Sequence, residues 1–502
     1  MKLKLTPARS REVMKMAAPV MFAMMTQTFL NVVDEMMVGR LPQEQSIPGQ
    51  TALGYSIVLL WLLGGFLSSV QVGTQAITAR RFGEKAFHRA GQALTNSLFI
   101  SVSTGVVVSL AAAYFIDDIF PLFDKNDRVV EVGTPYARYR MLGILSMVVT
   151  ASYKAFFDGI GKTHVHLVAA VLMNIVNLPL NYVLIFGEWG FPEMGVAGAG
   201  LGSLISTYIG LAVMIGWSGL PRFGKSYRYY RVKNASRKVI WDIVRVSVPG
   251  GLATVFVMSG FLVFFKVIGM LDVEASEMTQ SLLATAGNSV EELRNGAPLP
   301  VIDYVGENRE ESILILEAFN QNLTILSAAT NSIKAIMMIC FMQMLAMGTA
   351  TATLVGQSLG AGKPEEASAF GWESVRLGVY MMAVFALGTV FYPEAVMAMI
   401  NPNPAVIAVG KTSLQMMGAS SLFIALGMIL AQALFGAGMT RYVMWVEGGL
   451  HVVCLVPLSY CMGLVWNMGL LGVWSSAALY IFLLSMAMAW KFWRGGWQNV
   501  EL

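Results

Sequence analysis

Charged residues are scarce in this sequence. Only 13% of its 502 residues are Asp, Glu, Lys or Arg, against 56% hydrophobic, and mean hydropathy is +0.62. A soluble chain of this length needs a far more polar surface, whereas walls that face lipid do not, so a soluble globular protein is excluded. The three cysteines, Cys340, Cys454 and Cys461, all lie in apolar stretches and suggest neither a disulfide framework nor a metal cluster. No His/Asp metal cluster or nucleophile motif appears, so we expect no enzyme, no bound metal and no cofactor. Gly161-Lys162-Thr163 lacks the upstream glycines and the preceding strand of a phosphate-binding loop. The basic start (Lys2, Lys4, Arg9, Arg11, Lys15) runs into a full-length apolar stretch without a small-residue cleavage site, so no cleavable signal peptide is expected. Also missing is the ten-residue alternation of an outer-membrane barrel.

Apolar stretches of roughly 20 residues, enough for a helix to cross a bilayer, recur along the whole chain. They predict an all-α integral membrane protein with twelve spans: 14–39, 51–79, 91–116, 133–157, 164–187, 195–219, 241–270, 320–357, 371–399, 412–437, 441–464 and 469–493. The connections support the count. The N-terminus, the second connection (Arg80, Arg81, Lys85, Arg89) and the sixth (Arg222, Lys225, Arg228, Arg231, Lys233, Arg237, Lys238) are basic, as is the C-terminus with Lys491 and Arg494. The third connection (Asp117, Asp118, Asp124, Asp127) and the seventh are acidic. Basic even connections predict both termini in the cytoplasm of a multi-pass inner-membrane protein. The sixth connection reads as a topology signal, not as a nucleic-acid site.

The chain repeats itself. Pro19 and the Val38-Gly39-Arg40-Leu41 segment match Pro249 and Ile268-Gly269-Met270-Leu271 at an offset of 230. Gly83–Ala90 matches Gly360–Ala367, and Gly159-Ile-Gly161-Lys-Thr163 matches Gly436-Ala-Gly438-Met-Thr440, both at 277. Gly195-Val-Ala-Gly198 matches Gly469-Leu-Leu-Gly472 at 274. Six spans per repeat is even, so the halves insert in one orientation, as two pseudo-symmetric six-helix bundles related by an axis along the membrane normal. We assign residues 1–220 to the first lobe, 221–240 to a basic cytoplasmic linker and 241–502 to the second lobe. The difference between 230 and 277 places a 47-residue insertion in the seventh connection, about 272–317, with ten acidic residues and two arginines, Arg294 and Arg309. It is either a solvated loop with one or two short helices or an acidic lid over the outer mouth.

Several ordered motifs resemble the multidrug and toxic compound extrusion (MATE) family over nearly the whole chain outside the insertion. They include Asn31-Val-Val-Asp34 with Met37-Val-Gly39-Arg40-Leu41, Arg80-Arg81-Phe82-Gly83, and Phe157-Asp158-Gly159-Ile-Gly161-Lys162-Thr163. They continue with Asn177-Leu-Pro-Leu-Asn181 and Leu354-Val-Gly356-Gln357 with Leu359-Gly360-Ala-Gly362. The resemblance implies a V-shaped pair of bundles around a central cavity. It implies export of organic cations and other drugs in exchange for H⁺ or Na⁺ by alternating access. The expected substrates are small, drug-like and cationic, and the protein is expected to be a lipid-embedded monomer. A lipid-linked oligosaccharide or lipid flippase of the same superfamily is the alternative.

A carboxylate within a span is costly and marks function by default. Asp34 lies about five residues, or ~7 Å, from the outer end of the first span. Asn31 and Gln27, at i−3 and i−7, share its helix face. The fifth span carries a matching stripe, Asn174, Asn177 and Asn181, and Ser203 of the sixth can join it. One carboxylate among amide and hydroxyl oxygens can take up a proton or hold Na⁺. The resemblance points to the same residues, since family members with a first-half cation site build it from positions matched here by Asp34, Asn177, Asn181 and Ser203. Some members carry Asp where Asn181 stands, so one negative charge is missing here and H⁺ is favoured over Na⁺. In the second half, Glu447, His451 and Cys454 repeat the stripe with changed chemistry, at an offset of 277 from Ala170, Asn174 and Asn177. Glu447 and His451 read either as a second proton or substrate site or as a structural Glu–His hydrogen bond.

Overall fold

The computed structural model describes residues 5–123, 126–286, 290–295, 308–321 and 323–500, without the side chains of 30–32, 43 and 286. Among the described residues there is no strand, and twelve helices are long and apolar enough to cross a membrane. We number them α1 (Pro7–Gly39), α2 (Glu44–Gly83), α3 (Phe87–Tyr114), α4 (Asp127–Gly159), α5 (His164–Phe186) and α6 (Val196–Ser218) in the first half. The second half has α7 (Arg237–Thr285), α8 (Ile325–Gly360), α9 (Pro364–Phe391), α10 (Pro404–Gly436), α11 (Thr440–Val465) and α12 (Gly469–Arg494). Each matches an expected span, although α1, α2, α4, α9 and α10 begin six to eight residues earlier than expected and α7 ends at Thr285 against 270.

The turns between helices follow from residues that tolerate a left-handed backbone. Gly161 (φ 74°) and Gly438 (φ 87°) turn the chain between α4 and α5 and between α10 and α11, at positions the repeat makes equivalent. The basic linker does not hang free. Its helix Pro221–Tyr227 and the turn after it dock on α3, where Asn96 donates to the Asn234 carbonyl at 2.9 Å and accepts from the Ser236 N–H at 2.8 Å. Tyr227 and Tyr229 are buried among Phe156, Phe157 and Phe223.

The described part of the insertion is helical and includes the two short helices that one of the two expected readings allowed. α7 runs on through Asp272 to Thr285, so the insertion begins inside a helix. Two short helices, Val290–Arg294 and Arg309–Asn320, then build a small apolar core of Leu283, Leu293 and Leu316. Buried Lys411 of α10 clamps the second to the bundle, 3.0 Å from Glu311 and 3.3 Å from Glu394. Asp272 is 2% exposed and accepts the Leu326 and Ser327 N–H groups at 2.9 Å each, which caps the start of α8. The rest of the insertion, 287–289 and 296–307, lies outside the described residues.

The halves meet at the end of the bundle that carries both termini. There α2 crosses α8 with no room for side chains. A Cβ on Gly83 would stand 2.0 Å from the Gln357 carbonyl oxygen, and one on Gly360 would stand 2.0 Å from the Arg80 carbonyl oxygen. Arg80 and Gln357, like Gly83 and Gly360, are 277 apart, so one contact is made twice, as a two-fold axis requires. Polar bonds line the same seam. Gln75 donates at 2.9 Å to both the Thr349 carbonyl and Thr353 Oγ1. Gln357 donates to the Gly159 carbonyl at 2.8 Å, and Thr353 to the Asp158 carbonyl at 3.1 Å. The Arg80 guanidinium also donates to the Val500 carbonyl, which brings the C-terminal tail under the first half.

α1 belongs to both halves. Toward its N-terminal end, Val13, Ala17 and Val20 pack into the core of the second half. At its other end, Val38 packs with Ile185 of α5 and Val196 of α6. Buried Glu373 of α9 fixes the N-terminal end by accepting from the Thr6 N–H and the Ser10 hydroxyl, both at 2.6 Å. Pro19 lies between the two anchorages.

Candidate functional site

The packing of α1 on α5 brings the two expected polar stripes face to face. Asn181 Nδ2 donates to Asp34 Oδ1 at 2.6 Å and to Asn177 Oδ1 at 3.0 Å. A single amide thus links the three residues. Asp34 is half-buried, while Asn177 and Asn181 are 1% and 0% exposed. The neighbour Glu35 is exposed, on another face of α1. The amide is held from behind: a Cβ on Gly202 of α6 would fall 2.0 Å from Asn181 Oδ1. Only glycine permits this approach, and it fixes the depth at which Asn181 meets Asp34.

Ser203 follows Gly202 and is buried, but it makes no hydrogen bond to Asp34, Asn177 or Asn181. Its expected place in the shell is therefore adjacent to it and not within it. Gln27 is half-buried and makes no hydrogen bond among the described residues. The side chain of Asn31 lies outside the described residues. Asn174, one turn from Asn177, has both amide atoms buried without a partner among the described residues.

Two contributors from α4 escaped the sequence reading. The Arg140 guanidinium lies within electrostatic reach of Asp34, and the Tyr136 hydroxyl sits near both. The signal was present, since Arg140 falls inside the expected span 133–157 and an arginine within a span needs a counter-charge. Among the described residues no cluster of three His, Cys, Asp or Glu side chains could hold a metal ion.

In the second half, the expected Glu–His contact takes an unexpected form. His451 Nδ1 lies 2.8 Å from the Glu447 main-chain carbonyl, not from its carboxylate. Lys334 donates to Asn331 Oδ1 at 3.0 Å and lies over the Phe265 ring.

A twelve-helix bundle built from a repeat, with an intramembrane carboxylate in an amide frame, defines a membrane transporter and not an enzyme. The chain belongs to the MatE family, whose sequence pattern matches residues 19–183 and 324–461. It is 22% identical over 496 residues to a probable multidrug resistance protein NorM of Thermotoga maritima, covering 98% of this chain and 94% of the relative. It is 24% identical over 460 residues to the multidrug resistance protein PmpM of Pseudomonas aeruginosa, covering 91% and 84%. Among solved structures it superposes at a TM-score of 0.80 and 18% identity on an outward-facing multidrug resistance MATE family transporter of the MOP superfamily, covering 98% and 97% of the two chains. A MOP superfamily transporter from Pyrococcus furiosus, described for the reversed polarity of its binding pocket, matches at 0.77 and 19%, covering 96% and 95%.

Proposed function

We propose that this chain is an H⁺-coupled multidrug antiporter of the bacterial inner membrane, with both termini in the cytoplasm. It exports organic cations by alternating access between lobes 1–220 and 241–502, joined by the linker 221–240. It works as a monomer among lipids. The multidrug resistance relatives support the substrate class.

The observation that carries the coupling ion is the direction of the Asn181 amide. It presents a donor to Asp34 and to Asn177. That frame suits a carboxylate that gains and loses a proton. A Na⁺ ion at Asp34, Asn177 and Asn181 would need the amide oxygens turned inward, and Arg140 already supplies a positive charge nearby. With the seam at the termini end closed, Asp34 takes its proton from the opposite side. Neutralising Asp34 removes the counter-charge of Arg140 and loosens α1 from α5. Because the N-terminal end of α1 is held by the second lobe, the change reaches the seam, and the empty protonated form returns inward to release its proton.

Inverted membrane vesicles and a fluorescent organic cation test this. An imposed pH gradient is expected to drive uptake, and an equal Na⁺ gradient at constant pH is not. Uptake driven by Na⁺ alone would assign the sodium reading instead.

A further inference from the structure

The second lobe holds two hydrogen-bond acceptors within the expected spans that no described residue satisfies. One is the Glu447 carboxylate, which makes no hydrogen bond or ion pair among the described residues. It lies on the inward face of α11, with Met444, Gly448 and His451 buried on the same side, while Arg441, Trp445 and Val452 are exposed on the other. The second acceptor is Nε2 of His451. That ring is 2% exposed, and Nε2 has no partner among the described residues. A main-chain carbonyl can only accept, so Nδ1 carries the hydrogen in its 2.8 Å contact with the Glu447 carbonyl. In the neutral ring Nε2 is then a lone pair without a donor.

The surroundings are built around this pair. α7 and α11 approach through two glycines, each set against an aromatic ring of the other helix. A Cβ on Gly260 would stand 2.3 Å from His451 Cδ2, and one on Gly448 would stand 2.7 Å from Phe256 Cδ2. The Tyr480 ring of α12 meets His451 edge-on, 4.5 Å between centroids, and lies within electrostatic reach of Glu447. Beginning at His451, α11 widens into a π-helical turn, His451–Leu455. Such turns are frequent at functional sites. A histidine held for packing alone would have its buried acceptor satisfied; here Nε2 is left without a partner among the described residues, one helical turn from Glu447.

We propose that Glu447, His451 and Tyr480 form a substrate site of the second lobe that selects protonated amines. The carboxylate supplies the charge, Nε2 accepts the N–H, and the Tyr480 ring flanks the alkyl groups. A quaternary ammonium has the charge but no N–H, so it meets only half of this chemistry. Asp34 lies ~7 Å from one end of α1, whereas Glu447 lies about seven residues, ~10 Å, from the termini end of α11. Proton and substrate are thus held in different lobes and at different depths. The proposal rests on the drug-export reading for its substrate class, but not on the identity of the coupling ion.

Binding without any gradient separates the two. Purified protein in lipid nanodiscs is titrated with a dansyl-labelled tertiary amine and with its trimethylammonium counterpart at about pH 7, where the amine is protonated. Wild type is expected to bind the amine about fivefold more tightly, the worth of one hydrogen bond. Glu447→Gln weakens both probes by about tenfold, and Glu447→Asp restores binding of the quaternary probe. His451→Leu removes the acceptor altogether and with it the preference for the amine, while unchanged quaternary binding reports an intact fold. Equal wild-type affinities, insensitivity to Glu447→Gln, or an undiminished preference for the amine once the His451 acceptor is removed would each overturn the assignment.

Discussion

Ala79 of α2 and Gly356 of α8 face each other across the seam between the halves, 277 positions apart: they are the same residue of the repeat. A Cβ on Gly356 would come within 2.9 Å of the Ala79 Cβ. The pseudo-two-fold axis therefore passes between them. Closing this end of the transporter brings two copies of one helix end onto each other, and the seal is made of backbone and small residues. Packed interfaces of this kind are bistable and do not deform continuously.

Gly83→Ala and Gly360→Ala each place a methyl group 2.0 Å from a carbonyl oxygen of the other half. Overpacking of this kind costs about 1–3 kcal/mol, charged here to the closed state alone. Spin labels at positions 84 and 363 are expected to move apart in either variant. Distances matching wild type would mean that the seal does not depend on the glycines.

Glu373→Ala removes the carboxylate that holds the start of α1 on the second half and leaves Arg376 without its 2.5 Å partner. We expect a loss of about 1–3 kcal/mol in stability. Thermal unfolding in detergent reads it, and Glu373→Gln should recover part of the loss. A melting curve like that of wild type would show that the anchor contributes nothing.

Asp34→Asn keeps an oxygen for the Asn181 amide at 2.6 Å, so the variant should fold. It cannot exchange a proton, and coupled export should disappear. Normal drug resistance in cells carrying it would sink the coupling account.

Gly202→Ala tests the same site without touching a charge. The added methyl pushes Asn181 Oδ1, 2.0 Å away, and turns the amide off Asp34. Export should fall, while Gly210→Ala on the same helix, whose nearest neighbour is the Met173 side chain of α5 at 3.4 Å, should not affect it. Equal activity in the two variants would argue that the amide is not used.

Lys411→Met leaves Glu311 without the cation that holds it to α10. Lys411 is 5% exposed, so breaking the pair should cost about 2–4 kcal/mol locally. The helix Arg309–Asn320 should then become open to protease added to spheroplasts, whose outer face of the inner membrane is exposed. Cleavage no faster than in wild type would show that the insertion is held by its apolar core.

The helix count, the repeat and the depth of Asp34 were legible in the sequence because each rests on local chemistry. A span must be about 20 residues long and apolar, a turn between spans needs Gly161 or Gly438, and a charge in lipid is visible as soon as it is written down. The stripes Asn174–Asn177–Asn181 and Gln27–Asn31–Asp34 followed from helical periodicity in the same way. What the repeat could not show was where the insertion starts, because Asp272–Thr285 continues a helix whose apolar pattern has already ended.

The sequence by itself determined which residues could carry charge within the membrane and on which helix face each lies. Only the tertiary structure decided who meets whom. It set Arg140 within electrostatic reach of Asp34, placed Ser203 next to the amide frame but outside it, and gave His451 to the carbonyl of Glu447, whose carboxylate has no partner among the described residues. Periodicity fixes a side chain's direction on its own helix. Whether a partner waits there depends on how closely two helices approach, and glycines such as Gly202, Gly260 and Gly356 set that distance in three dimensions.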